Sequence, residues 1–186
     1  MSDLNLIGVE DGSFDAFTKE NNKKTILSAI QTYNYNIVAV ELRYIIVDGT
    51  DATEKLLDML TELHFEVLLL GGITFAGFNV IDIAKIYDET RKPIIVFIKE
   101  KPNMASVKDA LIKHFPDWRH RWKAIENLGE IFDGITKEGC PPIYYESVGI
   151  NPGRALNVLR KSSRLSKIPE QIRLAGLIAK AVSKAE

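Results

Sequence analysis

"NIVAVELRYIIVDGTDATEKLLDML", Asn36 to Leu60, changes its apolar period part-way along. Up to Val47 it is rich in Ile, Val and Tyr, residue types that suit a pleated strand. From Thr53 onward Leu56, Leu57, Leu60 and Leu63 keep to one helical face. Between the two, Asp48-Gly49 turns the chain, and Asp51-x-x-Glu54 has the spacing of a capping box. A strand therefore feeds a helix, with Asp48, Asp51, Glu54 and Asp58 around the joint. If the capping box accounts for Asp51 and Glu54, Asp48 is the carboxylate left for chemistry.

Upstream lie two more extended stretches, "LNLIGVE" and "KTILSAIQTYN", set apart by the polar joints "DAFTKENNK" and Asn34-Tyr35-Asn36. Short polar joints between β-rich runs predict a three-stranded antiparallel meander. Downstream, "EVLLLGG" and "KPIIVFIKE" show no alternation and predict strands buried on both faces of a parallel pair. "FNVIDIAKIYDE" reads as the helix between them. A long helical region from Ala105 to about Leu128 is broken near Pro116. "PPIYYESVG" is a last short strand, and "NPGRALNVLRKSS" and "IPEQIRLAGLIAKAVSK" are helices. The pattern predicts an α/β fold: a mixed sheet, three-stranded meander continued by parallel strands, with helices on both faces. With the first strand central, a topological switch falls beside it, at the carboxyl ends where such sheets hold ligands. "EDGSF", "DGTD" and "GGITFAGFN" all leave their strands at that rim.

The 186 residues fit a single domain, 1–186. Apolar runs reach only about eight residues, far below the roughly 20 that a membrane helix needs, so no membrane is expected as a partner. The opening "MSDLNLIGVED" lacks the regions of a signal peptide, and a cytoplasmic protein is the expectation. Cys140 is the only cysteine, which excludes a disulfide framework within one chain. A net charge of −1 gives no global pull towards nucleic acid. Beyond residue 153, however, Arg154, Arg160, Lys161, Arg164 and Arg173 belong to a run with few acids. Such a run can follow a phosphate backbone or serve as a solvated helical face, and both readings stay open.

Carboxylates gathered at one rim repel, and a divalent cation relieves the repulsion. Mg²⁺ (or Mn²⁺) held by a few acids plus phosphate oxygens is the usual outcome. The candidates are Asp11 and Asp48, with Glu10 or Asp82 assisting. Glu10 and Asp11 are adjacent and in a regular strand would face opposite sides. Turn chemistry alone explains "DGS" and "DGT" just as well. Trp118 and Trp122, four apart in "HFPDWRHRWK", share a helical face for base stacking, for the core or for a homodimer contact.

Taken together, "GVEDGSF", "VDGTDAT", "LLLGGITFAGFNVIDI" and "IPEQIRLAGLIA" resemble an archaeal family known as domain of unknown function 99, over nearly the whole chain. That family is regarded as a remote relative of endonuclease V, which has an RNase H-like fold. Endonuclease V cuts DNA or RNA near deaminated (inosine) bases with Mg²⁺ held by three acids. The resemblance implies that Asp11 is the first-strand acid and that Asp48 stands near the second. It also implies DNA or RNA as partner. The third acid of endonuclease V ends the fourth strand, where this chain reads Leu70-Gly71-Gly72, and Asn151 stands where a histidine is expected. A metal-dependent nuclease, a binding protein of the same fold that no longer cuts, and a structural subunit are the three readings that follow.

Overall fold

The computed structural model describes residues 5–14, 23–127 and 129–185. Most of the joint between the first two strands, Asp15 to Asn22, and Leu128 at the expected end of the long helical region lie outside them. Three strands open the chain: β1 (Asn5–Asp11), β2 (Lys24–Tyr33) and β3 (Asn36–Ile46). β1 pairs antiparallel with β2, and β2 with β3, as the expected meander. α1 (Ala52–Thr61) follows and leads into β4 (Val67–Leu70), which lies parallel to β1 on its other side. A small hairpin, β5 (Thr74–Phe75) and β6 (Asn79–Val80), precedes α2 (Ile83–Thr90) and β7 (Ile94–Ile98). Then come α3 (Met104–His114), α4 (Trp118–Glu126), β8 (Phe132–Gly134), β9 (Ile143–Val148), α5 (Pro152–Ser162) and α6 (Glu170–Ala185).

The seven-stranded sheet has the order β3-β2-β1-β4-β7-β9-β8. The central strand and both flanks are where the sequence places them. Three details differ. The helix expected from Phe78 starts only at Ile83, because residues 74–80 are tied into the small hairpin. β8 is three residues long, too short for any periodicity to show. The Asp51–Glu54 capping box does not form: Asp51 accepts instead from Ile46 N–H (3.1 Å) and Asn79 Nδ2 (2.7 Å), and Glu54 pairs with Lys85. Asn79 takes over the cap, its Oδ1 accepting from Ala52 N–H at 3.0 Å inside the protein.

Two apolar layers sandwich the sheet. Ile7, Val9, Leu68, Leu70 and Val96 face α1 and α2 through Leu56, Met59 and Ile86. Leu6, Leu69, Phe97 and Tyr145 face α5 and α6 through Leu159 and Ile172. β1, β4 and β7 are thus covered on both sides, as their lack of alternation requires. Their carboxyl ends open onto the rim described next. No described helix is long and apolar enough to cross a membrane.

Candidate active site

The rim is assembled around one short segment, Ala76-Gly77-Phe78, which joins β5 to β6. Asp11, the last residue of β1, accepts from Ala76 N–H through Oδ2. Asp48, in the turn after β3, donates its own N–H to the Ala76 carbonyl (2.8 Å) and accepts from Phe78 N–H through Oδ1 (2.8 Å). Two acids far apart in sequence are therefore anchored to the same three residues. Asp48 sits in the left-handed region (φ 56°), uncommon for a residue other than glycine, and asparagine and aspartate tolerate it best. Gly77 (φ 84°) is required twice over: a Cβ there would lie 2.2 Å from Asp48 Oδ1.

Glu10 and Asp11 do not part company across the strand. Glu10 Oε1 accepts from Asp11 N–H at 3.2 Å. Burial first, and the neighbouring Asp11 charge next, push the Glu10 carboxyl up to about 8. Burial also raises Asp11, against the Ala76 N–H that favours its charged form. Both residues are still in the ladder, opposite Ser28 and Leu27 of β2, and the contact is made by the Glu10 side chain folding back onto the Asp11 N–H.

Gly71 gains a physical explanation from the same geometry. A Cβ at Gly71 would stand 2.2 Å from Glu10 Oε2. Glu10 therefore occupies the space at the tip of β4 into which a side chain at 71 would project. Gly176 of α6 gives room on the other side, its Cβ position 3.0 Å from Glu10 Cγ.

Arg121 is the functional residue that sequence reasoning misses, its only signal being its place in a basic, aromatic run. It is buried, and its Nη1 donates to the Gly49 carbonyl (2.8 Å) and the Phe78 carbonyl (2.6 Å). Its Nε pairs with Asp117 at 3.0 Å, and its guanidinium lies over the Phe115 ring. Phe115 in turn meets Phe78 edge-on at 5.4 Å. The α3–α4 corner thus bolts the Asp48 turn to the Ala76–Phe78 segment.

Asp82 does not join the other acids. It caps α2, Oδ1 accepting from Lys85 N–H at 3.1 Å, and lines a neighbouring cleft of about 330 Å³ with Thr50, Glu54 and His120. Among the described residues no three Asp, Glu, His or Cys side chains form a ready-made metal cluster. Asn151 is the N-cap of α5, accepting from Arg154 N–H at 2.8 Å. Trp122 is half-buried beneath Lys108, and Trp118 lies beneath Arg119.

The basic set lies elsewhere. Tyr35, beyond the end of β2 that pairs with Asn5, donates to the Lys161 carbonyl (2.6 Å) and carries Arg164 over its ring. Asp11 pairs with Leu27 at the other end of β2, so Lys161 and Arg164 are at the wrong end of the sheet for these acids. Arg160 donates to the Ile135 carbonyl beyond β8, and Arg173 is paired with Glu170. Exposed Arg154 starts α5, which follows Val148, the partner of the first residue of β7. The cation that acts on both Glu10 and Asp11 is Lys180 of α6. Beside the same rim Lys23, Lys24, Thr25, Ser13 and Ser183 line a recess of about 380 Å³.

A family model described as endonuclease dU matches residues 2–183. The chain belongs to that family. A UPF0215 protein of Thermococcus gammatolerans is 37% identical over 99% of this chain and 94% of its own length. A crystal structure of a protein of unknown function from Archaeoglobus fulgidus is 28% identical with a TM-score of 0.83, covering 96% of this chain and 98% of that one. Endonuclease V of Ciona intestinalis, solved with a DNA containing an inosine followed by a ribo-adenosine, gives a TM-score of 0.61 at 14% identity, over 100% of this chain and 88% of that one. The fold is thus RNase H-like, and family and fold together support a nuclease-like role.

Proposed function

We propose that this chain is a nuclease that hydrolyses a phosphodiester of DNA, or of RNA, at the Asp11–Asp48 rim with a divalent cation, Mg²⁺ or Mn²⁺. The observation that carries the reading is the anchoring of both aspartates to the Ala76–Phe78 segment. Holding each carboxylate through one oxygen fixes it without using up its charge, which is how a preorganised acid site is built.

The donor set suits a hard cation. Glu10 and Asp11, crowded and desolvated, are stable only with a proton or a cation to offset their repulsion. Mg²⁺ is commonly bound by one or two carboxylates plus substrate phosphate oxygens, so three protein acids are not required in advance. Asp11 and Asp48 would hold the ion and Glu10 would stand in for an acid at position 71, whose place it fills. A cation bound there would activate a water and offset charge on the phosphate. The chain's own part is to fix the acids, through Arg121 and the Ala76–Phe78 amides, and to bring the strand in over Lys180 and Lys24. The family description makes deoxyuridine-containing DNA the first substrate to test.

Gly71 and the lack of a three-acid cluster among the described residues favour a second reading, a protein that binds nucleic acid without cutting it. One experiment separates the two. Uracil- and inosine-containing oligonucleotides, DNA and RNA, are incubated with the protein in Mg²⁺ or Mn²⁺, and Mn²⁺ affinity is measured by calorimetry. Cleavage that disappears with Asp11→Asn and Asp48→Asn supports the nuclease. Salt-dependent binding with neither cleavage nor Mn²⁺ uptake supports the second reading and ends the first.

A further inference from the structure

β3 is the edge of the sheet, and it is only partly blunted: a bulge sets Val38 out of register with β2, and Arg43 Nη1 lies on the outward carbonyl of Leu42 at 2.9 Å. Its 11 residues, NIVAVELRYII, contain no proline, glycine or lysine. Among the described residues no strand pairs with its outer side. Large apolar side chains remain exposed along it on both faces: Ile37 at 45%, Val38 at 55% and Val40 at 39%. Beyond that bulge, the regular run from Ala39 to Ile46 is a long, largely apolar edge, which is a template for another strand.

The two charges of β3 say which strand. Glu41 and Arg43 are the only charged residues in it, two apart and on one face. If a second β3 runs antiparallel with Leu42 opposite its own copy, each Glu41 faces an Arg43 and each Val40 faces a Tyr44. Opposite charges and apolar pairs directly across a ladder are both stabilising. Arg43 holds Asp58 (2.7 Å), its own Glu41 (2.9 Å) and the Leu42 carbonyl (2.9 Å), so pairing requires its Nη1 to leave Leu42 for the partner's strand while the guanidinium stays at the edge beside the partner's Glu41. The opposite edge of the sheet, β8, has three residues and offers no equivalent template. Pairing through β3 therefore closes as a twofold dimer and does not propagate.

We propose that two copies of this chain associate through β3, joining their sheets into one with the twofold axis at Leu42. This rests on the edge alone and stands whether or not the acidic rim cuts nucleic acid.

Mass measurement by light scattering at tens of micromolar should give twice the chain mass for the native protein. Val40→Lys, which sets a charge on the seam, should give the mass of one chain with its melting temperature within a few degrees of that of the native protein at low concentration. Register is tested by cysteine cross-linking in a Cys140→Ser background. Leu42→Cys should form an intermolecular disulfide on mild oxidation, since directly opposed residues lie about 4.5–5.5 Å apart between Cα atoms, within disulfide reach. Val38→Cys, which would face Ile46, should not. A native monomer at about 100 µM overturns the proposal, as does a dimer that survives Val40→Lys and gives no Leu42 cross-link. A monomer that loses oligonucleotide binding on Val40→Lys assigns this edge to nucleic acid, and the proposal falls.

Discussion

The two ends of the central strand carry charge in opposite ways. At its carboxyl end, Asp11 and the Asp48 turn after β3 are tied by hydrogen bonds to one loop, with Glu10 folded against Asp11. Towards its amino end, Lys161 and Arg164 belong to one run of sequence and meet the Tyr35 corner, with Lys137 on the Arg164 carbonyl. A cluster visible in sequence turns out to be dispersed, with Arg160 and Arg173 spent on local partners. Two aspartates scattered in sequence are anchored to one segment. What marks a site is convergence from different elements, which a charge run does not supply.

The largest test of that contrast is on activity. Metal-assisted charge stabilisation contributes several kcal/mol, and about 1.4 kcal/mol is tenfold in rate. Asp11→Asn and Asp48→Asn should each lower cleavage of uracil-containing DNA by roughly a thousandfold, while Arg160→Ala, Arg164→Ala and Arg173→Ala each change it less than about threefold. A gel-based rate assay at fixed salt reads both. If the arginine changes cost as much as the aspartate changes, the two ends work together and the contrast fails.

Arg121→Ala should come next, through stability. It removes a buried guanidinium and strands the Gly49 and Phe78 carbonyls it serves, at a cost of about 3 kcal/mol. Because it holds the Asp48 turn to the loop, its loss should also lower activity more than unfolding alone explains. Chemical denaturation gives the first quantity and rates at a temperature where the variant is folded give the second.

Most of the architecture was legible because strand periodicity and polar joints are local signals. The central β1, the flanking meander and the parallel β4 and β7 all stand where "LNLIGVE", "KTILSAIQTYN" and "EVLLLGG" put them. The meeting of Asp11 and Asp48 at one rim followed from strand order. Three things did not. Residues 74–80 form a hairpin whose strands are two residues each, below any periodic pattern. Asp51 looked like a cap because its spacing to Glu54 was right, but Asn79 from a distant loop does the capping. Arg121 gives no signal in the sequence, because nothing local shows that the distant Gly49 and Phe78 carbonyls need a donor.

Gly71→Asp sharpens the comparison further. Restoring an acid at the tip of β4 sets its Cβ 2.2 Å from Glu10 Oε2, so the side chain overpacks the site and adds a third negative charge. The expected loss is about 2 kcal/mol in denaturant unfolding. Glu10→Ala combined with Gly71→Asp should recover most of it, because the two side chains compete for one space. Non-additivity of that size is the signature of direct contact. If the double variant is simply the sum of the two, Glu10 is not the occupant of that position.

Glu146 supplies the smallest effect and the sharpest control. It is buried on β9, its Oε2 meets no hydrogen-bond partner among the described residues, and burial pushes its carboxyl up to about 7. Like Glu10 it is a desolvated acid, but burial alone raises it, with no neighbouring carboxylate contributing among the described residues. The native state keeps this proton after the unfolded chain, with an ordinary value of 4.5, has released it. Its contribution to stability is therefore complete below about pH 4.5 and is lost as the pH rises towards 7. Between pH 5 and pH 7 the native protein should lose on the order of 1–2 kcal/mol from this group, and Glu146→Gln should flatten that part of the profile. Cleavage by Glu146→Gln should stay at the native rate. Were it to fall with the aspartate variants, burial of an acid alone would be enough to mark the site, and convergence of separate elements would not be what distinguishes it.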